Sequence, residues 1–121
     1  MQTEKQVQGK KGEVIAAEYL INKGYSILER NWQSGHLEVD LIVSDENMLV
    51  FVEVKTRKST AFGEPEDFVT VQKQRNIIRA AGAYIRKTGI TKEVRFDIVS
   101  VVLDKGLESV KHIERAYTPR W

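Results

Sequence analysis

The stretch that decides the fold is "EVDLIVSDENMLVFVEVK", residues 38–55, which reads as two strands joined by a turn. Apolar and polar residues alternate through "LEVDLIV", which begins at Leu37, with the period of a strand that has one face on a core. "SDEN" is a turn signal, and "MLVFVEVKTR", which begins at Met48, is a second strand rich in valine. The sequence therefore predicts an antiparallel hairpin that carries several charged residues.

The register of this hairpin determines which face the charged residues share. Side chains alternate along a strand, so Glu38 shares a face with Asp40, and Glu53 shares a face with Lys55. A connection with an even number of residues, such as Glu46–Asn47, places both pairs on the same face. The other face then gathers one apolar layer, which consists of Val39, Leu41, Val50, Val52 and Val54.

Opposed acids on this face need compensation. Like charges opposite each other on exposed strands destabilise a sheet by up to about 1 kcal/mol. A divalent cation between Asp40 and Glu53 would offset that cost, and Mg²⁺ suits two carboxylates completed by waters and phosphate oxygens. Lys55 would then lie where an ammonium orients water or stabilises charge on phosphate. The alternative is a solvated face with a cross-strand Glu38–Lys55 ion pair.

Two helices and three more strands surround the hairpin. Residues 12–23 predict a helix with Val14, Ala17, Leu20 and Ile21 on its apolar stripe, and residues 1–10 a flexible N-terminal segment. Residues 69–87 predict a second helix that ends at Gly89. The further strands are "YSILERN", "VRFDIVSVVL" and "ESVKHIERAY". The predicted fold is α/β, with a central mixed five-stranded sheet flanked by helices in the order αβββαββ.

Composition limits the class of protein. The chain has 121 residues with 41% hydrophobic content, which predicts a single domain over residues 1–121. No apolar run approaches the roughly 20 residues that span a bilayer, and the N-terminus is polar. Cysteine is absent, which excludes disulfides, thiolate metal sites and cysteine nucleophiles. We expect a cytoplasmic protein without a membrane partner.

Several motifs in the chain resemble those of the YraN family of predicted endonucleases. They are "GE" at Gly12, "GY" at Gly24, "RN" at Arg30, "EVDLI" at Glu38, "VFVEVKTR" at Val50, "FG" at Phe62 and "VRFDIVSV" at Val94. The likeness covers about residues 9–117. That family is similar to archaeal Holliday-junction resolvases within the restriction-endonuclease-like superfamily, of the PD-(D/E)xK type.

The resemblance implies a phosphodiesterase site that depends on Mg²⁺, with Mn²⁺ as an alternative. Asp40, Glu53 and Lys55 match the superfamily's carboxylates and lysine, and Glu13 matches the acid of its first helix. Glu13, Asp40 and Glu53 would bind the metal, and Glu38 would be an auxiliary acid. One departure is Leu37, which stands where family members usually have glycine.

Two residues keep alternative interpretations. Glu13 falls inside an apolar helical stripe, where a carboxylate is costly unless it is paired or bound to metal. It could also be an ordinary first-turn acid favoured by the helix dipole. His36 is a phosphate contact, an auxiliary base or an exposed turn residue.

Basic residues near the hairpin indicate where nucleic acid would bind. Arg57 and Lys58 follow the second hairpin strand, and Lys73, which matches a family lysine, is an auxiliary or phosphate contact. Arg75, Arg79 and Arg86 lie opposite the apolar stripe of their helix, which favours a solvated face. The loop "TRKSTAFGEPED" is long enough to touch a duplex or to move over the site.

The leading hypothesis is a Mg²⁺-dependent DNA endonuclease that hydrolyses phosphodiester bonds, with branched or junction DNA in repair or recombination as the expected substrate. Paired cuts in a two-fold substrate would suit a homodimer, although no sequence feature identifies an interface. One alternative is a non-catalytic nucleic-acid-binding or adaptor protein that retains the nuclease fold. Another is a structural domain whose charged hairpin is a solvated face.

Overall fold

The computed structural model describes residues 2–58 and 69–119, which form two helices and five strands. In chain order these are α1 (Glu4–Asn22), β1 (Ser26–Ser34), β2 (Leu37–Ser44), β3 (Met48–Arg57), α2 (Val71–Thr88), β4 (Glu93–Asp104) and β5 (Leu107–Tyr117). The predicted α/β class and αβββαββ order are confirmed. Most of the loop predicted to face the substrate, including Phe62 and Gly63, lies outside the described residues.

The five strands form one mixed sheet in the order β1-β2-β3-β4-β5. β3 and β4 are parallel, and every other neighbouring pair is antiparallel. α2 lies in the crossover that a parallel pair requires. α1 packs on one face of the sheet and α2 on the other. Neither of these helices, the two formed by the described residues, has the length and apolarity needed to span a membrane.

The hairpin between β2 and β3 has the predicted register. Ser44 pairs with Leu49 and Leu41 pairs with Val52, so opposed positions have an odd index sum. The connection is therefore Glu46–Asn47, an even-length connection of the kind that the sequence predicted. Oδ1 of Asp45 accepts hydrogen bonds of 2.8 Å from the amides two and three residues later, which fixes the turn.

Two hydrophobic clusters hold the layers together. The α1 side contains Ala16, Ala17, Leu20, Leu41, Val43, Met48, Val50, Val52, Val99 and Val101. The α2 side contains Leu37, Val39, Ile42, Leu49, Phe51, Ile77, Ala80, Ala81, Tyr84 and Phe96. The prediction that Val39 shares a layer with Leu41 is wrong, because pairing with β3 stops at Leu41 and Val39 pairs with Trp32 of β1. The alternation of β2 is interrupted at Asp40, which lies between them.

α1 begins earlier than the sequence predicted. Thr3 is its N-cap and forms a capping box with Gln6, so the helix starts at Glu4 rather than at residue 12. Residues 4–10, predicted as part of a flexible segment, are helical. The predicted apolar stripe is also partly wrong, because Val14 and Ile21 are 51% and 48% exposed. The buried face consists of Gly12, Ala16, Ala17 and Leu20.

Gly12 sets the distance between α1 and the sheet. It is buried, and a Cβ atom added there would overlap the side chain of Thr56 in β3, with the threonine Cβ only 2.8 Å away. The helix can approach the end of β3 this closely only because residue 12 has no side chain. This contact places the next residue, Glu13, over the end of β3.

A buried polar cluster joins β4 to β5 and to the end of α1. Asp97 is fully buried and accepts hydrogen bonds from Arg95, His112 and the Arg115 amide at 2.7 to 3.1 Å. Burial raises the pKa of Asp97, but these donors outweigh it and hold the pKa below its usual range. Lys23 lies 3.0 Å from Nδ1 of His112, so that nitrogen accepts from the ammonium and Nε2–H donates to Asp97.

We predict that Gly12→Ala destabilises the protein by about 1–3 kcal/mol, because the added methyl group overpacks the α1–β3 contact. Helix propensity alone would favour alanine by about 1 kcal/mol, which the overlap exceeds. Gly9→Ala is the matched control, since a Cβ at Gly9 meets nothing within 4 Å, and it should stabilise the protein. Urea unfolding measures both variants. Equal stabilisation by the two alanines would contradict the close packing at Gly12.

Candidate active-site cleft

A cleft of about 570 Å³ opens at the end of β3, between that strand and the first half of α1. Its lining combines acids from three elements with basic residues. The lining residues are Lys5, Gln8, Gly9, Glu13, Asp40, Glu53, Val54, Thr56, Arg57 and Lys58. Three of the predicted catalytic residues therefore meet in one cavity.

Asp40 is held at the point where β2 leaves β3. Its Oδ2 accepts a hydrogen bond of 2.8 Å from the amide of Val54 in β3. Its Oδ1 accepts none from a described residue. Burial first, and then the charges of Glu53 and Glu13, raise the pKa of Asp40 to about 7, although the Val54 amide and Lys73 lower it. The carboxyl group is thus buried, with two further acids near it.

Glu53 is the most enclosed acid of the cleft, with 5% of its surface exposed. Nζ of Lys55 and Nζ of Lys73 each lie 3.6 Å from its Oε1. Lys55 is on the same strand two residues later, and Lys73 comes from the first turn of α2. The hairpin and the second helix therefore meet at this carboxylate.

Glu13 lies in the third turn of α1, nine residues after the helix begins. The interpretation of Glu13 as a first-turn acid favoured by the helix dipole is therefore wrong, because that effect is confined to the first turn. Glu13 is half-buried, lines the cleft and contributes to the raised pKa of Asp40. Its position supports the alternative of an acid that faces the site.

Glu38 does not join the cluster that the hairpin parity predicted. It is exposed and pairs with Gln33 of β1, because β2 no longer follows β3 beyond Leu41. It lines a neighbouring cleft together with Glu13. His36 is exposed in the turn between β1 and β2 and lines a different groove against α2. Neither residue lines the cleft that contains Asp40.

The predicted basic contacts differ in their surroundings. Arg57 is half-buried and lines the cleft wall. Lys58 lines it as well, but its Nζ forms an ion pair of 3.0 Å with Glu4 of α1, and both side chains are largely exposed. Exposed pairs of this kind are weak, so Lys58 can exchange this partner for a phosphate.

The donor set of the cleft fits a divalent cation in part. The residues that would hold it are Asp40, through its Oδ1, and Glu53, with Glu13 nearby. Within residues 2–58 and 69–119, no three acidic or histidine side chains form a preassembled metal cluster. The two lysines instead offset the charge of Glu53. The chemistry suits a hard cation with waters as additional ligands, and the metal remains a prediction.

One wall of the cleft and one residue outside its lining were missed in the sequence. The wall formed by Lys5, Gln8 and Gly9 was missed because the helix was predicted to begin at residue 12. The pair Thr3 and Gln6 carried the signal, since it forms a capping box. Tyr117 was read only as a strand end, yet its buried hydroxyl has no hydrogen-bond partner among the described residues. Burial and then Glu53 raise its pKa above the usual range.

We predict that Asp40→Asn stabilises the metal-free protein at pH 8 and has little effect at pH 4. The pKa of Asp40 is raised to about 7 in the folded state, against about 3.9 in unfolded chains. The contribution of the Asp40 carboxyl to stability is therefore fully present below pH 4 and is lost as the pH rises through 7, where the buried group ionises. The expected gain at pH 8 is on the order of 2–4 kcal/mol. Unfolding curves at both pH values measure it.

The control is Asp104→Asn at the exposed end of β4, which should change stability little at either pH. If Asp40→Asn lowers stability at pH 8, the carboxylate is favourably paired in the fold. That result would contradict the burial of Asp40 and its repulsion by Glu53 and Glu13.

Comparison with known proteins identifies the family. A model of an uncharacterised protein family, UPF0102, matches residues 12–101. A UPF0102 protein of Phocaeicola vulgatus is 51% identical over 93% of this chain and 94% of its own length. Others, from Bacteroides thetaiotaomicron and Syntrophomonas wolfei, are each 45% identical over 92% and 88% of this chain and 92% and 93% of theirs. This chain therefore belongs to the UPF0102 family, to which the YraN resemblance pointed.

Proposed function

We propose that this protein is a metal-dependent DNA endonuclease of the restriction-endonuclease-like, PD-(D/E)xK type. The observation that carries the proposal is the cleft that Glu13, Asp40 and Glu53 line together, with the Nζ atoms of Lys55 and Lys73 3.6 Å from the Glu53 carboxylate. Acids beside ammonium groups suit the hydrolysis of a phosphodiester, where a cation and a substrate phosphate both have to be held. The DNA substrate and a cytoplasmic location belong to the same proposal.

The acidic and the basic residues of the site have different proposed roles. Asp40 and Glu53 would hold Mg²⁺ or Mn²⁺, which when bound supplies Lewis acidity and lowers the pKa of water. Lys55, on the strand of Glu53, donates to the scissile phosphate or to the attacking water. Water attacks phosphorus, the bond to the leaving oxygen breaks, and a proton passes to that oxygen. Glu13 would be a further metal ligand, and Lys73 would add positive charge beside the phosphate.

The enclosure of Glu53 supports this arrangement. A carboxylate with 5% exposure is costly unless it is compensated, and its two ammonium neighbours at 3.6 Å are at ion-pair rather than hydrogen-bond distance. A bound cation would take over that compensation from Lys55 and Lys73. Both lysines would then be available to a phosphate. Binding of substrate and binding of metal are therefore expected to favour each other.

The second candidate is a non-catalytic DNA-binding or adaptor protein that retains the fold. It is favoured by the lack of a preassembled group of three metal-ligating side chains among the described residues and by the lysine pairs at Glu53. An adaptor would bind DNA through the same basic residues and cut nothing. Paired cuts in a junction would favour a homodimer, which remains part of the nuclease proposal.

We predict that the wild-type protein cleaves branched, single-stranded or duplex DNA with Mg²⁺ or Mn²⁺ and does not cleave it in EDTA. Asp40→Ala, Glu53→Gln and Lys55→Ala should each lower the rate at least about 100-fold, because each removes charge that acts on the reacting phosphate. Cleavage of end-labelled substrates measures the rates.

Matched controls separate charge in the cleft from charge elsewhere. Glu18 lies on the exposed side of α1, so Glu18→Gln is the control for Glu13→Gln. Lys105 lies in the β4–β5 turn, and Lys105→Ala is the control for Lys55→Ala. The two controls should retain wild-type rates. If pure wild-type protein cuts none of the substrates yet binds them in a salt-dependent manner, the adaptor is correct.

A further inference from the structure

α2 is a helix with positively charged residues and no negatively charged ones. It contains no acidic residue and five basic ones, Lys73, Arg75, Arg79, Arg86 and Lys87. The formal net charge of the whole chain is only +2. The remainder of the molecule is therefore negative in sum, and the net positive charge of the chain comes from α2.

Three of these residues form a line along the helix, here called the arginine line and defined as Arg75, Arg79 and Arg86. Their spacings of four and seven residues place them within about 40° of one another on an ideal helix. All three are exposed, and they lie opposite the buried side of α2. The line spans about 16 Å at a rise of about 1.5 Å per residue.

The arginine line is not explained by the fold. None of its members forms an ion pair with a described residue, whereas Lys23, Lys55, Lys58 and Lys73 all do. Like charges four residues apart, as in Arg75 and Arg79, destabilise a helix by a few tenths of a kcal/mol. A solvated face usually mixes charges of both signs. If this face had only a structural role, acidic residues on it would stabilise the helix.

A groove adjoins the line at a glycine. Gly82 lies on the same side of α2, between Arg79 and Arg86, and lines a groove of about 530 Å³ against the β1–β2 turn, where His36 lies. A Cβ atom at this glycine would meet only the flexible end of Arg86, at 3.2 Å. Glycine lowers the stability of a helix, and packing within the protein does not require it at this position. A ligand that approaches the helix closely would require it.

Lys73, in the first turn of α2, pairs with Glu53 on the side of the helix that faces the sheet. The arginine line lies about 120–160° around the helix from Lys73, on the outer side. A single small anion would be bound by basic residues grouped at one point. A line of three guanidinium groups suits a polymer with evenly spaced negative charges. A nucleic-acid strand has a phosphate about every 3.4 Å along its axis, so several lie within the length of the line.

We propose that the arginine line binds the sugar-phosphate backbone of a DNA duplex arm, outside the scissile phosphate and without regard to sequence. The proposal rests on the proposed function for its substrate. It assigns these residues to binding and leaves the chemical step to the cleft. The contact is electrostatic and has to weaken with salt.

The test is the triple variant Arg75→Gln, Arg79→Gln, Arg86→Gln, with Kd for a labelled 20-base-pair duplex measured by fluorescence anisotropy in EDTA at several salt concentrations. We expect Kd to rise at least about tenfold near 100 mM salt. The slope of log Kd against log salt should fall by about 0.9 for each phosphate that the variant no longer neutralises. Cleavage at saturating DNA should keep the wild-type rate.

The control removes the same charge elsewhere, in the triple variant Lys11→Gln, Lys92→Gln, Lys105→Gln, whose residues line none of the clefts described above. It should leave Kd within about twofold of wild type. If it weakens binding as much as the arginine variant, net charge and not the line is responsible, and the proposal is overturned.

Two further outcomes distinguish this inference from the proposed function. Wild-type protein that cuts DNA while the arginine variant keeps its affinity would overturn the inference and leave the nuclease intact. Wild-type protein that neither binds nor cuts DNA would overturn both. Gly82→Ala should raise the melting temperature and weaken duplex binding, and unchanged binding would remove the groove from the site.

Discussion

The register of the β2–β3 hairpin is the constraint on which the site depends. A two-residue connection, fixed by the Asp45 side chain, sets Leu41 against Val52 and brings the next positions, Asp40 and Glu53, to the same end of the sheet. A slip of one residue would turn Glu53 and Lys55 to the other face of β3 and send its valines out of the α1-side core. Apolar burial therefore enforces the arrangement that concentrates charge, and the stability of the sheet offsets the cost of two neighbouring carboxylates.

The helices complete the site through two different contacts. α1 approaches β3 closely enough at Gly12 to carry Glu13 over the strand end, while α2 begins with Lys73 near Glu53. The buried group around Asp97 lies on the α1 side of the same sheet and ties β4 and β5 to the end of α1. These contacts hold the elements from which charged side chains project into the cleft. α2 also carries the arginine line on its outer side, which faces away from the sheet.

Local pattern was sufficient to predict the elements, the hairpin parity and the grouping of Asp40, Glu53 and Lys55. Prediction from the local pattern failed where a tertiary interaction changes the local backbone geometry. The break in alternation at Asp40 could not be read from "LEVDLIV", because it arises where β2 follows β1 instead of β3, and this separates Glu38 from the cluster. The long first helix was predictable from Thr3 and Gln6, but its low amphipathicity hid it. The exposure of Val14 and Ile21 depends on which side of the helix meets the sheet, which the sequence leaves open.

The nuclease proposal requires that the carboxylates at the end of the hairpin hold a divalent cation. A crystal structure of the protein soaked in Mn²⁺, with anomalous data collected for the metal, directly tests whether these carboxylates bind the cation. We expect an anomalous peak in the cleft at coordination distance, about 2.0–2.3 Å, from oxygens of Asp40 and Glu53, with Lys55 and Lys73 displaced from the glutamate. An empty cleft in which both lysines still pair with Glu53 at saturating Mn²⁺ would contradict it.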